Sequence, residues 1–349
     1  MFRADILVPG MEPYGRVGAL LLVTRVCPMR STASAIAAVL LSLASTILPS
    51  PCVAGAAPAE ALVTSQLAEK VSFVDLETLQ VTGEVSVPGK PAGIALAPDR
   101  ARAYVTAPEA KELVVIDVDA RKVVRRLHVG NGPLGIAVHP LDGRIFVADW
   151  YDHRIAVIDA GTLAITSYVK VGESPSGVAV TPDGRFVLSA DRDSHQVSVI
   201  DAATLVVVKT VPVGKRPFGL TIDASGRRAY TANVKSDDVS IIDLAAGTIL
   251  ATVPVGKRPY AVALAGGRAF VTDQYSQTVS VIDLATNAVI RTLKVGAYPE
   301  GIAADRTGRF VYVACWEDNT LERIDVDSLE VTARVTVPDG PRAFGDFLR

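Results

Sequence analysis

A repeat of about 42 residues governs this chain. Seven aspartates each follow a hydrophobic residue at the end of a strand-like segment, and they stand at Asp75, Asp117, Asp159, Asp201, Asp243, Asp283 and Asp325. Successive members are 42 residues apart, except for one interval of 40. A set of prolines keeps the same period and the same short interval, at Pro91, Pro133, Pro175, Pro217, Pro259, Pro299 and Pro341. A fixed period of this length indicates stacked structural repeats.

Each unit contains four short segments typical of β-strands. In the unit 214–255 they cover residues 219–222, 228–232, 239–243 and 248–255, and turn-forming residues separate them. No segment has the helical period with caps that a helix requires. Four antiparallel strands in about 40 residues are typical of one blade of a β-propeller.

The ends of the chain indicate how the ring closes. Small residues recur in the first strand of the units, where blades converge on an axis: Gly93, Ala95, Gly135, Ala137, Gly177, Ala179, Gly219, Ala261, Ala263, Gly301 and Ala303. Residues 61–64 read as a second-type strand, and residues 342–348 read as the missing first strand. We therefore predict an all-β fold, a seven-bladed β-propeller with four-stranded antiparallel blades. Its ring is closed by the C-terminal strand joining the N-terminal blade, which removes exposed strand edges.

The N-terminal region has the layout of a secretory signal. Residues 29–56 combine an early arginine, an apolar stretch and a small-residue cleavage site at 54–56. The apolar stretch is too short for a membrane-spanning helix, so we expect no membrane span in the mature chain. We divide the chain into an upstream extension (1–28), a signal peptide (29–56) and the propeller (57–349). This division predicts a periplasmic or secreted protein.

The mature chain is mildly acidic and has a single cysteine. Beyond residue 56 there are 31 basic and 35 acidic side chains, a net charge of −4 with neutral histidines. This charge does not favour a general nucleic-acid binder. Only Cys315 is left, so no disulfide can form within the mature chain, and we interpret Cys315 as a small buried thiol.

The repeat text resembles a known family. Residues 103–106, 229–233 and 269–272 read Ala-Tyr-Val-Thr, Ala-Tyr-Thr-Ala-Asn and Ala-Phe-Val-Thr, and text of the type Val-Ser-Val-Ile-Asp and Val-Gly-x-x-Pro-x-Gly follows. These motifs resemble the YVTN-type β-propeller repeat over residues 60–349 and are similar to YncE-like proteins. The resemblance implies an exported seven-bladed propeller of a bacterial or archaeal kind. It implies no single activity, because the repeat residues are architectural.

Positions that recur in every unit are best explained by the fold. We expect each ladder aspartate to accept backbone N–H bonds in a turn, and each ladder proline to fix the entry into an inner strand. Function should lie where the units differ, in the fourth-to-first and second-to-third strand connections, which open on one face of a propeller.

The candidate ligand or partner site combines cations and aromatic rings in these connections. Its members are Lys215, Arg216, Phe218, Lys257, Arg258, Tyr260, Trp150, His153, Tyr275 and Trp316. Such a mixture suits an anionic or planar ligand, through charge and stacking. The alternative is that the cations only keep the loops soluble, while Phe218 and Tyr260 pack on the next blade.

Metal, cofactor and enzyme signals are weak. His153 and His195 occupy equivalent positions, but no third His or Cys shares that position, so we predict neither a metal nor a cofactor. None of the hydrolase, zinc-protease or phosphate-loop motifs is present, and we assign no catalytic residue.

The leading hypothesis is a monomeric, non-enzymatic exported propeller that binds a partner protein or an anionic small ligand on its loop-rich face. One alternative is a propeller enzyme of lactonase or lyase type, for which Asp149, Asp191, His153 and His195 are the candidates. Another is a single-stranded nucleic-acid binder, which the net negative charge disfavours.

Overall fold

The computed structural model describes residues 59–349, which form 28 strands in seven sheets. Each sheet is one blade, and the inner strands of all seven surround a central axis. Within these residues no helix is long and apolar enough to cross a membrane. The prediction of an all-β, seven-bladed propeller is confirmed.

The strands follow in chain order from the axis outward in each blade. Blade 1 contains β1 (Glu60–Ser65), β2 (Lys70–Asp75) and β3 (Gln80–Ser86). Blade 2 contains β4 (Gly93–Leu96), β5 (Arg102–Ala107), β6 (Glu112–Asp117) and β7 (Lys122–His128). Blade 3 contains β8 (Pro133–Val138), β9 (Ile145–Asp149), β10 (Arg154–Ile158) and β11 (Ile165–Lys170). Blade 4 contains β12 (Pro175–Val180), β13 (Phe186–Asp191), β14 (Gln196–Asp201) and β15 (Val206–Pro212).

The remaining blades have the same arrangement. Blade 5 contains β16 (Pro217–Ile222), β17 (Arg228–Asn233), β18 (Asp238–Asp243) and β19 (Thr248–Pro254). Blade 6 contains β20 (Pro259–Ala265), β21 (Arg268–Asp273), β22 (Thr278–Asp283) and β23 (Ala288–Lys294). Blade 7 contains β24 (Pro299–Ala304), β25 (Phe310–Cys315), β26 (Thr320–Asp325) and β27 (Glu330–Thr336), and β28 (Phe344–Gly345) ends the series.

The core lies between blades. The second and third strands are buried on both faces because each blade is packed between two neighbours, as in β17 and β18, where runs of four or more residues are buried. The outermost strand β19 has a single buried residue. One blade therefore cannot bury its own apolar faces, and the ring is the unit of stability.

The ladder aspartates hold the turns between the third and fourth strands. In every blade the backbone N–H three residues further along donates to the aspartate carboxylate, for example Thr78 N to Asp75 Oδ1 at 2.6 Å. This hydrogen bond is the main cause that lowers the pKa of Asp75, and the pKa of Asp283 is lowered in the same way by Thr286. The turn role predicted from the repeat is confirmed.

Glycine is required at several of the points where the inner strands converge. A Cβ atom on Gly135 would stand 1.8 Å from the carbonyl oxygen of Ser176 in the next blade. A Cβ on Gly177 would stand 2.4 Å from the carbonyl oxygen of Phe218. No side chain fits between backbones at these distances, so the recurring small residue is a condition of ring formation.

The C-terminal segment closes the ring. Backbone hydrogen bonds run from Arg342 N to Thr64 O at 2.7 Å and from Leu62 N to Phe347 O at 2.8 Å. They place residues 341–349 antiparallel to β1 as the innermost strand of blade 1, as the sequence predicts. Within this segment β28 also pairs in parallel with β4 of blade 2.

Closure can be tested by removing its contacts in two steps. Phe347 is completely buried, so Phe347→Ala should lower the free energy of unfolding by about 3 to 5 kcal/mol. Deletion of residues 342–349 removes the whole inner strand and should destabilise the protein further. The control is Val208→Ala on the exposed side of β15, with an effect within about 0.5 kcal/mol. An unchanged unfolding midpoint after the deletion would contradict closure.

Candidate functional site

The two variable loop sets meet on one face. The amide of Arg192 donates to the carbonyl of Ser174, that of Val234 to Arg216, and that of Gln274 to Arg258. Each bond joins a second-to-third connection to the fourth-to-first connection of its own blade. We call this surface the loop face.

An aromatic cluster closes the axis beneath the loop face. The ring centroids of Phe218 and Tyr260 are 4.4 Å apart, and Phe344 lies 5.1 Å and 5.7 Å from them. All three side chains are buried, and Trp150 packs on Phe218 at 6.4 Å. We call Phe218, Tyr260 and Phe344 the aromatic plug. Phe218 and Tyr260 thus lie inside the ring, and Trp150 is the partly exposed ring above them.

A polar cluster lies beside the plug. Arg342 pairs with Glu300 at 3.2 Å and donates from Nε to the Tyr260 hydroxyl at 2.9 Å. Gln274 Nε2 donates to Glu300 Oε1 at 2.7 Å. Burial raises the pKa of Glu300 although Arg342 opposes this shift. Sequence reasoning places Tyr260, Glu300 and Arg342 in one set of loops, since each directly follows a ladder proline, but it did not predict that they contact each other.

Three arginines from adjacent blades gather around Trp150 and the plug. The Arg192 guanidinium lies 5.2 Å from the Trp150 ring centroid, and Asp193 pairs with Arg192 at 2.9 Å and with Arg216 at 3.4 Å. Burial lowers the pKa of Arg192, and repulsion from Arg216 and Arg258 lowers it further. The arginines are therefore close enough to interact. Arg192 was not predicted, although it occupies the same repeat position as Trp150.

Arg258 is the least neutralised member of this group. Its guanidinium lies 4.6 Å from the Tyr275 ring and donates to the Tyr275 hydroxyl at 2.5 Å, while its Nε is buried without an acceptor. Among residues 59–349, no carboxylate lies within ion-pair distance of Arg258. Of the predicted lysines, Lys257 pairs with Asp237 at 2.9 Å, and Lys215 is exposed.

A second aromatic row lies on blades 6 and 7. Tyr275 and Tyr298 are 5.6 Å apart, and Tyr298 and Trp316 are 6.4 Å apart, measured between ring centroids. Tyr275 is 55% exposed. Trp150 and Trp316 share a repeat position but belong to different clusters. Trp150 packs on Phe218 of the plug, and Trp316 packs on Tyr298.

The two histidines form hydrogen bonds with the backbone of neighbouring loops. His153 Nδ1 accepts a hydrogen bond from Ser174 N at 3.0 Å, and His195 Nδ1 accepts one from Arg216 N at 3.2 Å. His195 Nδ1 also lies 3.0 Å from the Arg192 carbonyl oxygen, so backbone groups occupy Nδ1 of both rings. In the described part of the chain, no three His, Cys, Asp or Glu side chains gather as a metal site requires.

Buried carboxylates at the ends of second strands anchor the fourth-to-first loops. Asp149 Oδ1 accepts from Gly132 N at 2.9 Å, and Asp191 Oδ2 accepts from Gly172 N at 3.0 Å. Asp273 accepts from the Ser280 hydroxyl at 2.7 Å, and burial raises its pKa to about 6. Asp149 and Asp191, the candidates for enzyme chemistry, thus anchor loops in separate blades. Cys315 ends β25 at the equivalent position, and it is fully buried, which confirms its interpretation as a buried thiol.

The raised pKa of Asp273 predicts a pH-dependent stability. The folded state binds the proton more tightly than the unfolded state, so stability present at low pH is lost as the pH rises from about 4 to 6, by up to about 3 kcal/mol. Asp273→Asn should remove this loss, because Asn233 fills the equivalent position in blade 5 and donates to Ser240 Oγ at 2.9 Å. Urea unfolding at pH 4.5 and 7.5 should show a variant more stable than the wild type only at pH 7.5.

Asp283→Asn is the matched control. Its carboxylate has a lowered pKa, so the stability it contributes is present at neutral pH and is lost on acidification. This variant should be less stable than the wild type at pH 7.5. A stability difference for Asp273→Asn that does not change with pH would contradict the assignment.

The axis is hollow on the other side of the plug. A cavity of about 710 Å³ is lined by inner strands of all blades and by Arg100 and Ala224 from first-to-second strand turns. No residue of the fourth-to-first or second-to-third connections lines it. The cavity therefore opens away from the loop face, on a surface that we call the turn face.

These features define a closed seven-bladed β-propeller with a plugged axis. The family model described as YNCE-like beta-propeller matches residues 53–144, and that of the cytochrome D1 heme domain matches residues 104–221. The first match and the seven blades together support a YncE-like propeller family, as the repeat predicts. No curated protein matches the chain.

Solved structures share the fold at low identity. Hydrazine synthase of Kuenenia stuttgartiensis is 22% identical with a TM-score of 0.69, over 75% of this chain and 91% of that one. A functionally unknown protein from Desulfotomaculum acetoxidans is 16% identical with a TM-score of 0.70, over 81% and 99%. Dihydro-heme d1 dehydrogenase NirN, in complex with DHE, is 16% identical with a TM-score of 0.61, over 82% and 73%.

The match to a haem domain raises the question of whether this chain could hold a haem. Haem iron is held by His, Cys, Met or Tyr, and none of these residue types lines the central cavity. On the loop face, the Nδ1 atoms of His153 and His195 are occupied by backbone donors. The central cavity therefore offers no residue of the types that hold a haem iron.

Proposed function

We propose that this chain is an exported, non-enzymatic propeller that binds an anionic group on the loop face, carried by a partner protein or a small ligand. The observation that carries the proposal is that Arg192 and Arg216 share one half-buried carboxylate, Asp193, while Arg258 acts on Arg192 by charge. Export rests on the signal pattern of residues 29–56, which lie outside the described residues.

Physical chemistry favours an anion at this place. Burial is the main cause that lowers the pKa of Arg192, repulsion from Arg216 and Arg258 adds to it, and an anion would relieve that repulsion. The arginine fork binds carboxylate or phosphate with two parallel hydrogen bonds. The buried Nε of Arg258 is a donor without an acceptor in the described residues. Trp150 and Tyr275 supply apolar faces beside the charges.

The arginines can be tested with poly-L-glutamate as the probe at low salt. Arg192→Gln, Arg216→Gln and Arg258→Gln combined should weaken its binding by about tenfold or more, because three partly exposed cationic contacts of about 0.5 kcal/mol each are removed. The control is Arg125→Gln, Lys170→Gln and Lys294→Gln, which removes the same charge from exposed positions on β7, β11 and β23. An equal loss in both variants, or no binding by the wild type, would contradict the proposal.

A second candidate function is supported by the row of Tyr275, Tyr298 and Trp316 beside Arg258. Exposed aromatic rings next to cations suit the stacked bases of a single-stranded nucleic acid. An oligothymidylate that binds more tightly than poly-L-glutamate, and loses affinity on Tyr275→Ala, would favour this candidate. The same affinity for both polyanions, with no effect of Tyr275→Ala, would favour binding by charge.

A further inference from the structure

The aromatic row of Tyr275, Tyr298 and Trp316 continues onto blade 1. A Cβ atom on Gly340 would lie 2.9 Å from Leu67 Cγ and 3.1 Å from Trp316 Nε1, so both side chains lie against this glycine. Leu67 is 50% exposed, and Tyr275, at the other end of the row, is 55% exposed. These four side chains form a band across blades 6, 7 and 1 of the loop face, which we call the aromatic band.

Backbone hydrogen bonds hold the aromatic band in place. The amide of Trp316 donates to the Tyr298 carbonyl at 2.9 Å. The amide of Leu67 donates to the Asp339 carbonyl at 3.1 Å, which joins blade 1 to the end of blade 7. Exposed side chains on a backbone that is already ordered lose little conformational entropy on binding, and an exposed apolar surface of this kind is typical of an interaction site.

Three exposed carboxylates border the aromatic band. Glu317 and Asp318 directly follow Trp316, and Asp339 is the residue whose carbonyl accepts the Leu67 amide. Within residues 59–349, none of these three carboxylates makes an ion pair. Their charges are therefore available to a cationic partner.

The sign of these charges decides between two kinds of partner. Among the described residues, the only cation over a ring of the row is Arg258, which lies on Tyr275 at the blade 6 end. The carboxylates at the blade 7 and blade 1 end repel a phosphate backbone. A lysine or arginine side chain can instead pair with them and pack its stem and charge on the rings. This end of the loop face therefore fits a basic protein segment better than a nucleic acid.

We propose that the aromatic band and its three carboxylates bind a basic segment of a partner protein, in which lysine or arginine flanks an apolar anchor. The anchor packs on Trp316 and Leu67, since buried aromatic contacts supply most of the affinity at protein interfaces. The cations pair with the carboxylates at the border, which gives specificity for sign. The proposal does not rest on the proposed function, because the carboxylates lie on blades 7 and 1 and the arginines on blades 4 to 6.

The probes are three pentapeptides with acetylated and amidated ends: Lys-Lys-Phe-Lys-Lys, Lys-Lys-Ser-Lys-Lys and Glu-Glu-Phe-Glu-Glu. Binding is followed at low salt through Trp316, which is the sole tryptophan of the Trp150→Phe variant. The basic peptide with phenylalanine should change the emission of Trp316. The serine peptide should bind at least about threefold more weakly, because it lacks the aromatic contact. The acidic peptide should leave this emission unchanged, even where it binds the arginines.

Removal of the carboxylates provides the second test. Glu317→Gln, Asp318→Asn and Asp339→Asn combined should weaken binding of the basic phenylalanine peptide about tenfold, because three exposed charge contacts are lost. An asparagine at position 318 keeps an oxygen that can accept the Ala297 amide. The control combines Glu77→Gln, Asp327→Asn and Glu330→Gln, which remove the same charge from exposed positions in or beside third-to-fourth turns.

The two proposals can fail separately. The triple glutamine variant of the loop-face arginines should bind the basic phenylalanine peptide undiminished. The variant without the three carboxylates should bind poly-L-glutamate undiminished. Thermal unfolding checks that every variant is folded, and calorimetry on the unsubstituted protein gives the peptide affinities if Trp150→Phe does not fold.

Four results would overturn the proposal. They are no binding of the basic phenylalanine peptide, equal affinity for the phenylalanine and serine peptides, an equal loss of affinity in the carboxylate variant and its control, and a response of Trp316 to oligothymidylate at lower concentrations than to the basic peptide. The last result would assign the aromatic band to single-stranded nucleic acid.

Discussion

The close approach of inner strands at the axis is the constraint on which this propeller depends. Gly135 and Gly177 face the carbonyl oxygens of the next blade at distances that no Cβ atom can share. This approach fixes where along the central axis the side chains before and after the glycine position lie. The residues before it, such as Tyr260 and Arg342, meet beneath the loop face, whereas the residues after it line the cavity. Backbone packing therefore determines which side chains share each site.

The aromatic plug divides the axis into two chemically different surfaces. On the loop face, Arg192, Arg216 and Arg258 make a cationic region beside Trp150, in a chain whose net charge is negative. On the turn face, the side chains that line the cavity are mostly aliphatic, and Arg100 pairs with Asp346. A charged surface selects ligands by electrostatic complementarity, and an apolar cavity selects them by size and hydrophobicity. The two faces of the ring therefore present different chemistry.

The repeat period predicted the fold because the fold depends on contacts that every blade repeats. The aspartate turns and the C-terminal strand follow from position in the repeat alone. The site was predicted only in part. Phe218 and Tyr260 were recognised as unusual, but the repeat does not show that Phe344, which is distant in sequence, packs against both of them. Arg192 shares the variable repeat position of Trp150, which was the available signal. Its approach to Arg216 depends on side-chain directions that spacing does not encode.

The fluorescence of Trp150 tests the central functional claim most directly. The chain has two tryptophans, so Trp316→Phe leaves Trp150, which lies under Arg192 and above the plug, as the sole reporter. Titration of this variant with poly-L-glutamate at low salt should change the emission of Trp150, and added salt should reverse the change as the charges are screened. Binding detected by calorimetry without any change in that emission would contradict a site at the centre of the loop face.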